Sequence, residues 1–255
     1  MHDNHRIRFV SSATTHVGMV RKVNEDAVLE LPDHGMWAVA DGMGGHAAGD
    51  FASQTIMQTL TRIPPPRAIG TYARAVQAAL GHVNTLLRAE AARRGKDTIG
   101  ATVVVLLAAG DGLACVWAGD SRLYRLRRHR LELLTRDHSY VQELFEAGAI
   151  TAEESLNHPM GNVVTRAVGA HETIELEARP VLVEGGDMLL LCSDGLNKTV
   201  RDEEIAQILG SGEPRDAARQ LVHRALLRGA PDNVSVVVIR AESEAETTTR
   251  PTFWQ

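Results

Sequence analysis

The segment Met36-Trp37-Ala38-Val39-Ala40-Asp41-Gly42-Met43-Gly44-Gly45-His46 carries a carboxylate out of an apolar run and into a glycine-rich turn. That order suits metal or phosphate chemistry. A short apolar run bounded by glycines reads as a buried strand, and an Asp at its end is expensive to desolvate unless a cation meets it. Three further acidic sites repeat the theme: Asn24-Glu25-Asp26, Ser193-Asp194-Gly195 and Asp232-Asn233. Singly, each such Asp is by default a turn former bonding nearby backbone N–H groups. Together they read differently. Asp41 and Asp194 each end an apolar run and precede Gly, and Asp232 precedes a third run, so a layered sheet could gather them into an oxygen-rich divalent-metal centre.

Dinucleotide binding is the main rival, because Gly42-Met43-Gly44-Gly45-His46-Ala47 satisfies the relaxed G-x-G-x-x-A pattern. The context opposes it. A Rossmann unit needs a second strand ending in an acidic residue roughly 20 positions on, where this chain has Arg62-Ile63-Pro64-Pro65-Pro66-Arg67. Asp41 would also repel a pyrophosphate unless a cation intervened.

With 255 residues the chain can bury one large core, and no long linker divides it. The net charge of -5 gives no sign of nucleic-acid binding, and the basic run Arg125 to Arg130 reads as a solvated hairpin face. No run approaches the roughly 18 apolar residues of a membrane span, and the N-terminus lacks a signal-like apolar core, so a cytoplasmic protein without membrane insertion is expected. Cys115 and Cys192 lie in apolar runs, as reduced core residues do. Neither is followed after five residues by Arg, as a thiolate-dependent phosphatase loop requires, which argues against a cysteine nucleophile.

Strand character is expected over Ile7 to Ser12, Asp26 to Leu31 and Met36 to Ala40, then a helix from Gly49 with Phe51, Ile56, Met57 and Leu60 on one side. Pro64-Pro65-Pro66 stops it. A longer helix from about Ala68 to Arg94 carries Tyr72, Val76, Ala79, Leu80, Val83, Leu86 and Leu87 on one face. Ala101 to Ala108, Leu113 to Ala118 and Leu123 to Leu126 read as a meander with turns at Ala109 to Gly112 and Gly119 to Ser121. The polar stretch from Asp137 to Gly169, helical around Val141 to Ala147, reads as a mobile excursion. Met188 to Cys192 and Val234 to Arg240 are expected strands, Asp202 to Leu209 and Arg215 to Arg228 amphipathic helices, and the polar tail from Ala241 to Gln255 is expected to be disordered. Strands grouped in meanders with paired helices favour an α+β layered sandwich in a domain spanning 1–240.

Arg21-x-x-Asn24-Glu25-Asp26, Ala40-Asp41-Gly42-Met43-Gly44-Gly45, Thr98-x-Gly100-Ala101-Thr102, Gly119-Asp120-Ser121-Arg122, Cys192-Ser193-Asp194-Gly195-Leu196 and Asp232-Asn233 occur in this order along the chain. The set resembles the metal-dependent PP2C (PPM) serine/threonine phosphatases, especially the compact bacterial members. The resemblance implies an αββα sandwich of two antiparallel sheets flanked by helix pairs, holding two Mn²⁺ or Mg²⁺ ions. It implies that Asp41 bridges them, with Asp194 and Asp232 completing one site and the Gly42 carbonyl and Glu25 facing the other. Asp26 would be a close neighbour or ligand, and Asp120 with Asp194 would hold a third ion. Arg21 would bind the phosphate.

Eukaryotic relatives often carry a His two residues after the bridging Asp, where this chain has Met43; His46 or a metal-bound water is the candidate acid in its place. The resemblance also implies that residues 138–168 form a flap beside the site, that the substrates are phosphorylated proteins, and that a Hanks-type serine/threonine kinase is the opposing partner of a monomeric enzyme. A non-catalytic phosphoprotein-binding pseudophosphatase is the alternative on the same fold, opposed by the intact set Arg21, Glu25, Asp41, Asp194 and Asp232. Another two-metal phosphohydrolase or nuclease is opposed by the net charge of -5.

Overall fold

Along β3 (Met36–Met43) successive side chains enter two different hydrophobic clusters, with Met36, Ala38 and Ala40 in one and Trp37 and Val39 in the other. This is the two-residue period of a strand covered on both faces, which is why the segment reads as an unbroken apolar run. The structure, a computed structural model, describes residues 7–45, 47–156 and 158–243. Here β3 lies in the sheet β2-β3-β5-β6-β9, formed with β2 (Asp26–Leu31), β5 (Val103–Ala109), β6 (Gly112–Ala118) and β9 (Glu177–Val181); β4 (Gly100–Ala101) pairs with the end of β3. The second sheet has the order β1-β11-β10-β7-β8, from β1 (Ile7–His16), β7 (Arg122–Arg127), β8 (Arg130–Leu133), β10 (Met188–Cys192) and β11 (Val234–Ser243). Every ladder is antiparallel.

Trp37, Val39, Leu106 and Cys115 from the first sheet pack with Leu123, Leu189, Leu191 and Val237 from the second, forming the central core. The other face of the first sheet buries Ile56 and Leu60 of α1 (Ala47–Leu60) and Tyr72, Val76, Leu80 and Leu87 of α2 (Ile69–Arg94). Gly95 ends α2 in the left-handed conformation, donating its N–H to the Ala91 and Ala92 carbonyls, with Arg93 and Arg94 in the last turn. The connecting segments hold α3 (Tyr140–Glu146), α4 (Ala152–Leu156) and α5 (Asp194–Asn197). Against the outer face of the second sheet lie α6 (Asp202–Leu209) and α7 (Pro214–Leu227), through Ile205, Ile208, Leu221 and Ala225. The architecture is α+β, the αββα sandwich that the motifs implied.

The expected meander is not one. After β6 the chain leaves its sheet, and β7 pairs with β10 and β8 in the other. Gly119, at φ 111, lies so close to Thr102 that an added Cβ would meet the Thr102 Cβ at 2.4 Å. Gly119-Asp120-Ser121 is therefore a corner between sheets rather than a hairpin turn. Helical spacing misplaced Phe51 and Leu86, which are 36% and 44% exposed; the Arg94 guanidinium lies 4.8 Å from the centroid of the Phe51 ring. The basic run does form a hairpin face, with Arg128 and His129 at φ 48 and 66 in its turn. Both cysteines are free and buried, and burial pushes the Cys192 thiol up to about 12, consistent with core roles. The final strand runs to Ser243, past the expected boundary at 240; residues 244–255 of the tail, residues 1–6 and His46 lie outside the described residues.

Candidate metal centre

β2 and β3 set Asp26 directly opposite Asp41. The Asp41 backbone is tied to the next strand: Thr102 N donates to its carbonyl at 2.9 Å and its own N–H donates to Thr102 Oγ1 at 3.3 Å. Asp41 thus sits inside β3, which continues through Gly42 and Met43 paired with Ala101 and Gly100, instead of ending the strand. Asp194 is the first residue of α5, with Ser193 between it and the end of β10; Asp232 lies two residues before β11, with Asn233 between; Asp120 occupies the corner between sheets. Sheet ends and corner open on one cleft of ≈ 330 Å³ lined by Arg21, Glu25, Asp41, Gly42, Asp120, Asp194 and Asp232, with Asn162 and Val164 of the excursion on its rim. Asp26 lies beneath this wall, 4% exposed, with Ser193 Oγ donating to Oδ2 at 2.7 Å.

So many carboxylates in one buried place perturb each other. Burial, then the Asp26 and Asp194 charges, pushes Asp41 well above the usual carboxylate range; burial is also the main cause raising Asp26 and Asp120 to about 7. Asp26 Oδ1 and Asp194 Oδ1 are buried without a hydrogen-bond donor. A carboxylate oxygen left this way is costly, and a hard divalent cation is the partner that relieves it, so the donor chemistry fits Mg²⁺ or Mn²⁺. Among the described residues, no trio of His, Cys, Asp or Glu side chains is already drawn into a closed cage. An open cleft of oxygens suits an ion that keeps several waters.

Protein cations now offset part of the charge. Arg21 donates to Asp232 in a bidentate fork, Nε to Oδ1 at 2.9 Å and Nη2 to Oδ2 at 2.7 Å. Lys198 Nζ lies 2.5 Å from Asp194 Oδ2 and 3.6 Å from Asp120 Oδ2.

The chain matches the sequence profile of Protein phosphatase 2C over residues 19–228. It belongs to the protein phosphatase 2C family. The serine/threonine protein phosphatase PstP of Mycobacterium tuberculosis is 39% identical over 222 residues, 87% of this chain, which spans 43% of PstP's length. Among solved structures, PppA, a regulatory component of the T6SS in Pseudomonas aeruginosa, is 52% identical with a TM-score of 0.86, covering 92% of this chain and 98% of PppA. A PstP catalytic domain in complex with two manganese ions is 36% identical with a TM-score of 0.80, covering 93% of this chain and all of that one. Among the described residues, no helix is long and apolar enough to cross a membrane.

Two residues of this 2C-family chain have supporting roles that the motifs do not show. Asn233 Oδ1 accepts from Glu25 N at 2.8 Å, while its Nδ2 donates to the Val17 and Val23 carbonyls at 2.8 and 3.1 Å. One amide thereby holds the loop bearing Arg21 and Glu25 against the start of β11. Asn233→Ala should cost about 2 kcal/mol and lower the melting temperature by roughly 4–8 °C. An unchanged melt would show that the loop is held by other means.

His138 roots the excursion at the corner carrying Asp120. Gly119 N donates to its Nδ1 at 3.1 Å, and its own N–H returns to the Gly119 carbonyl at 3.0 Å. An accepting Nδ1 leaves Nε2 to donate to Glu177 Oε1 at 3.1 Å, and the ring stacks on Trp117. Asp137 takes the Arg122 guanidinium at 2.9 and 2.7 Å, so adjacent residues grip the corner on both sides of Asp120.

Proposed function

We infer that this 2C phosphatase hydrolyses phosphoserine and phosphothreonine in proteins with two Mn²⁺ or Mg²⁺ ions, a third ion at Asp120 and Asp194 being optional. The observation that carries this reading is the single cleft in which Asp41, Asp194, Asp232, Glu25 and Arg21 meet around buried, undonated carboxylate oxygen. Asp41 would bridge the ions, Asp194 and Asp232 would hold one, and Glu25 with the Gly42 carbonyl would hold the other. When bound, such ions make a water acidic enough to supply hydroxide near neutral pH.

The protein's own part is to bind and orient. Arg21 is a bidentate donor whose fork suits two phosphate oxygens, and it becomes available once Asp232 is engaged by a cation instead. The buried free cysteines favour direct attack by water over a phosphoenzyme. Asn162 and Val164 bring the excursion of 138–168 to the cleft rim, where it would select among phosphoproteins. His46 or a bound water would protonate the leaving oxygen. A domain of 1–240, a monomeric state, a cytoplasmic location and an opposing Hanks-type kinase complete the reading. Mn²⁺ should switch on hydrolysis of a phosphothreonine peptide and EDTA should abolish it; equal turnover in both would overturn the metal-dependent assignment, and absence of turnover would favour a pseudophosphatase.

A further inference from the structure

Lys198 follows α5 directly, and its backbone N–H donates to the Asp194 carbonyl at 2.9 Å, which fixes where its side chain starts. That side chain folds back onto Asp194 and lines the pocket beside the cleft, with Asp120 and Asn162 on the wall common to both. Its Nζ lies 2.5 Å from Asp194 Oδ2 and 3.6 Å from Asp120 Oδ2, and donates to Asn162 Oδ1 at 2.7 Å. Two carboxylates and an amide oxygen around one point form a set of hard donors that would serve a divalent ion as well as an ammonium.

We propose that Lys198 is an internal cation standing between Asp120 and Asp194, where it competes with a divalent ion for that pair. This deepens the metal-dependent reading above and rests on it. Surface ion pairs usually contribute little, but Asp120 is only 6% exposed at its side chain, and the buried setting weakens solvent screening. The division of labour is also specific: Arg21 neutralises Asp232, while Lys198 neutralises the pair on the excursion side. A divalent ion can take the Asp120–Asp194 position only if the ammonium leaves, which also breaks its bond to Asn162.

The test counts Mn²⁺ bound to the full chain, by electron paramagnetic resonance of the free ion during titration, for wild type, Lys198→Met and Lys198→Arg. The Met variant keeps the length and loses the charge, so it should bind one additional ion about tenfold or more tighter than wild type. Lys198→Arg should resemble wild type, and adding Asp120→Asn to Lys198→Met should remove the gain. Retained uptake at the tight sites reports that each variant is folded. Superimposable isotherms for wild type and Lys198→Met, or an equal gain in Lys198→Arg, would overturn the proposal while leaving the two-ion site intact. A folded wild-type chain that binds no Mn²⁺ overturns both readings.

Discussion

Asp41→Asn should lower Mn²⁺-dependent hydrolysis of a phosphothreonine peptide by roughly a thousandfold or more, about 4 kcal/mol on the barrier. The same substitution should leave the metal-free protein at least as stable as wild type. Both expectations follow from one fact: Asp41 is half-buried opposite Asp26, with the Asp194, Asp120 and Asp232 charges each raising its pKa. Without bound cations that crowding is repulsive, and an isosteric amide relieves it; with cations it would become the ligand field, and the amide would remove its centre. Lost activity with an undiminished melting temperature in EDTA separates a functional carboxylate from a structural one. Turnover within tenfold of wild type would take Asp41 out of the centre. A clear fall in the EDTA melt would instead mean that the carboxylate supports the fold.

The boundaries of β10 and α6 coincide with those expected because an apolar run or amphipathic turn is cut off there by residues with strong local preferences. β9 carries no such signal. Glu177, Ala178, Arg179 and Pro180 stay in partial contact with solvent on an edge strand, and only Val181 is buried, so no period is written in the sequence. Sheet switching at Gly119 was hidden for a different reason: β6 and β7 have the same alternation whether they share a sheet or face one another, and only Gly119 against Thr102 decides. At the site, carboxylates were legible because an Asp beside an apolar run and a Gly is anomalous without a cation. Their partners were not. Arg21 finds Asp232 across 211 residues, and Asn233 and Lys198 are ordinary polar residues until the fold supplies Val17, Val23, Glu25 and Asn162. Local chemistry thus marked what needed a cation, and only the tertiary structure showed what now serves as one.

Gly42→Ala should destabilise the protein by about 3 kcal/mol or more, lowering its melting temperature by roughly 6–12 °C. The cause is contact rather than backbone freedom, since no positive φ is required at Gly42. A Cβ built there would lie 2.1 Å from the Gly49 carbonyl oxygen at the start of α1 and 2.6 Å from the Glu25 carbonyl oxygen. These are backbone atoms, and Gly42 is itself held by its N–H bond to the Glu25 carbonyl at 3.1 Å and by pairing with Ala101. Relief therefore means moving α1, the Glu25 loop or β3. Moving the Glu25 loop or β3 would shift a carboxylate of the candidate centre, so Mn²⁺ should raise the melting temperature of Gly42→Ala less than that of wild type. Gly45→Ala is the control. Gly45 is at φ 80 with nothing within 4 Å of an added Cβ, so it carries only the left-handed backbone penalty, about 1 kcal/mol. If the two variants melt together, the close approach of α1 to β3 is not what demands glycine before Met43; if Gly42→Ala falls much further and loses its response to Mn²⁺, the glycine is there to let a helix and a metal-binding strand touch.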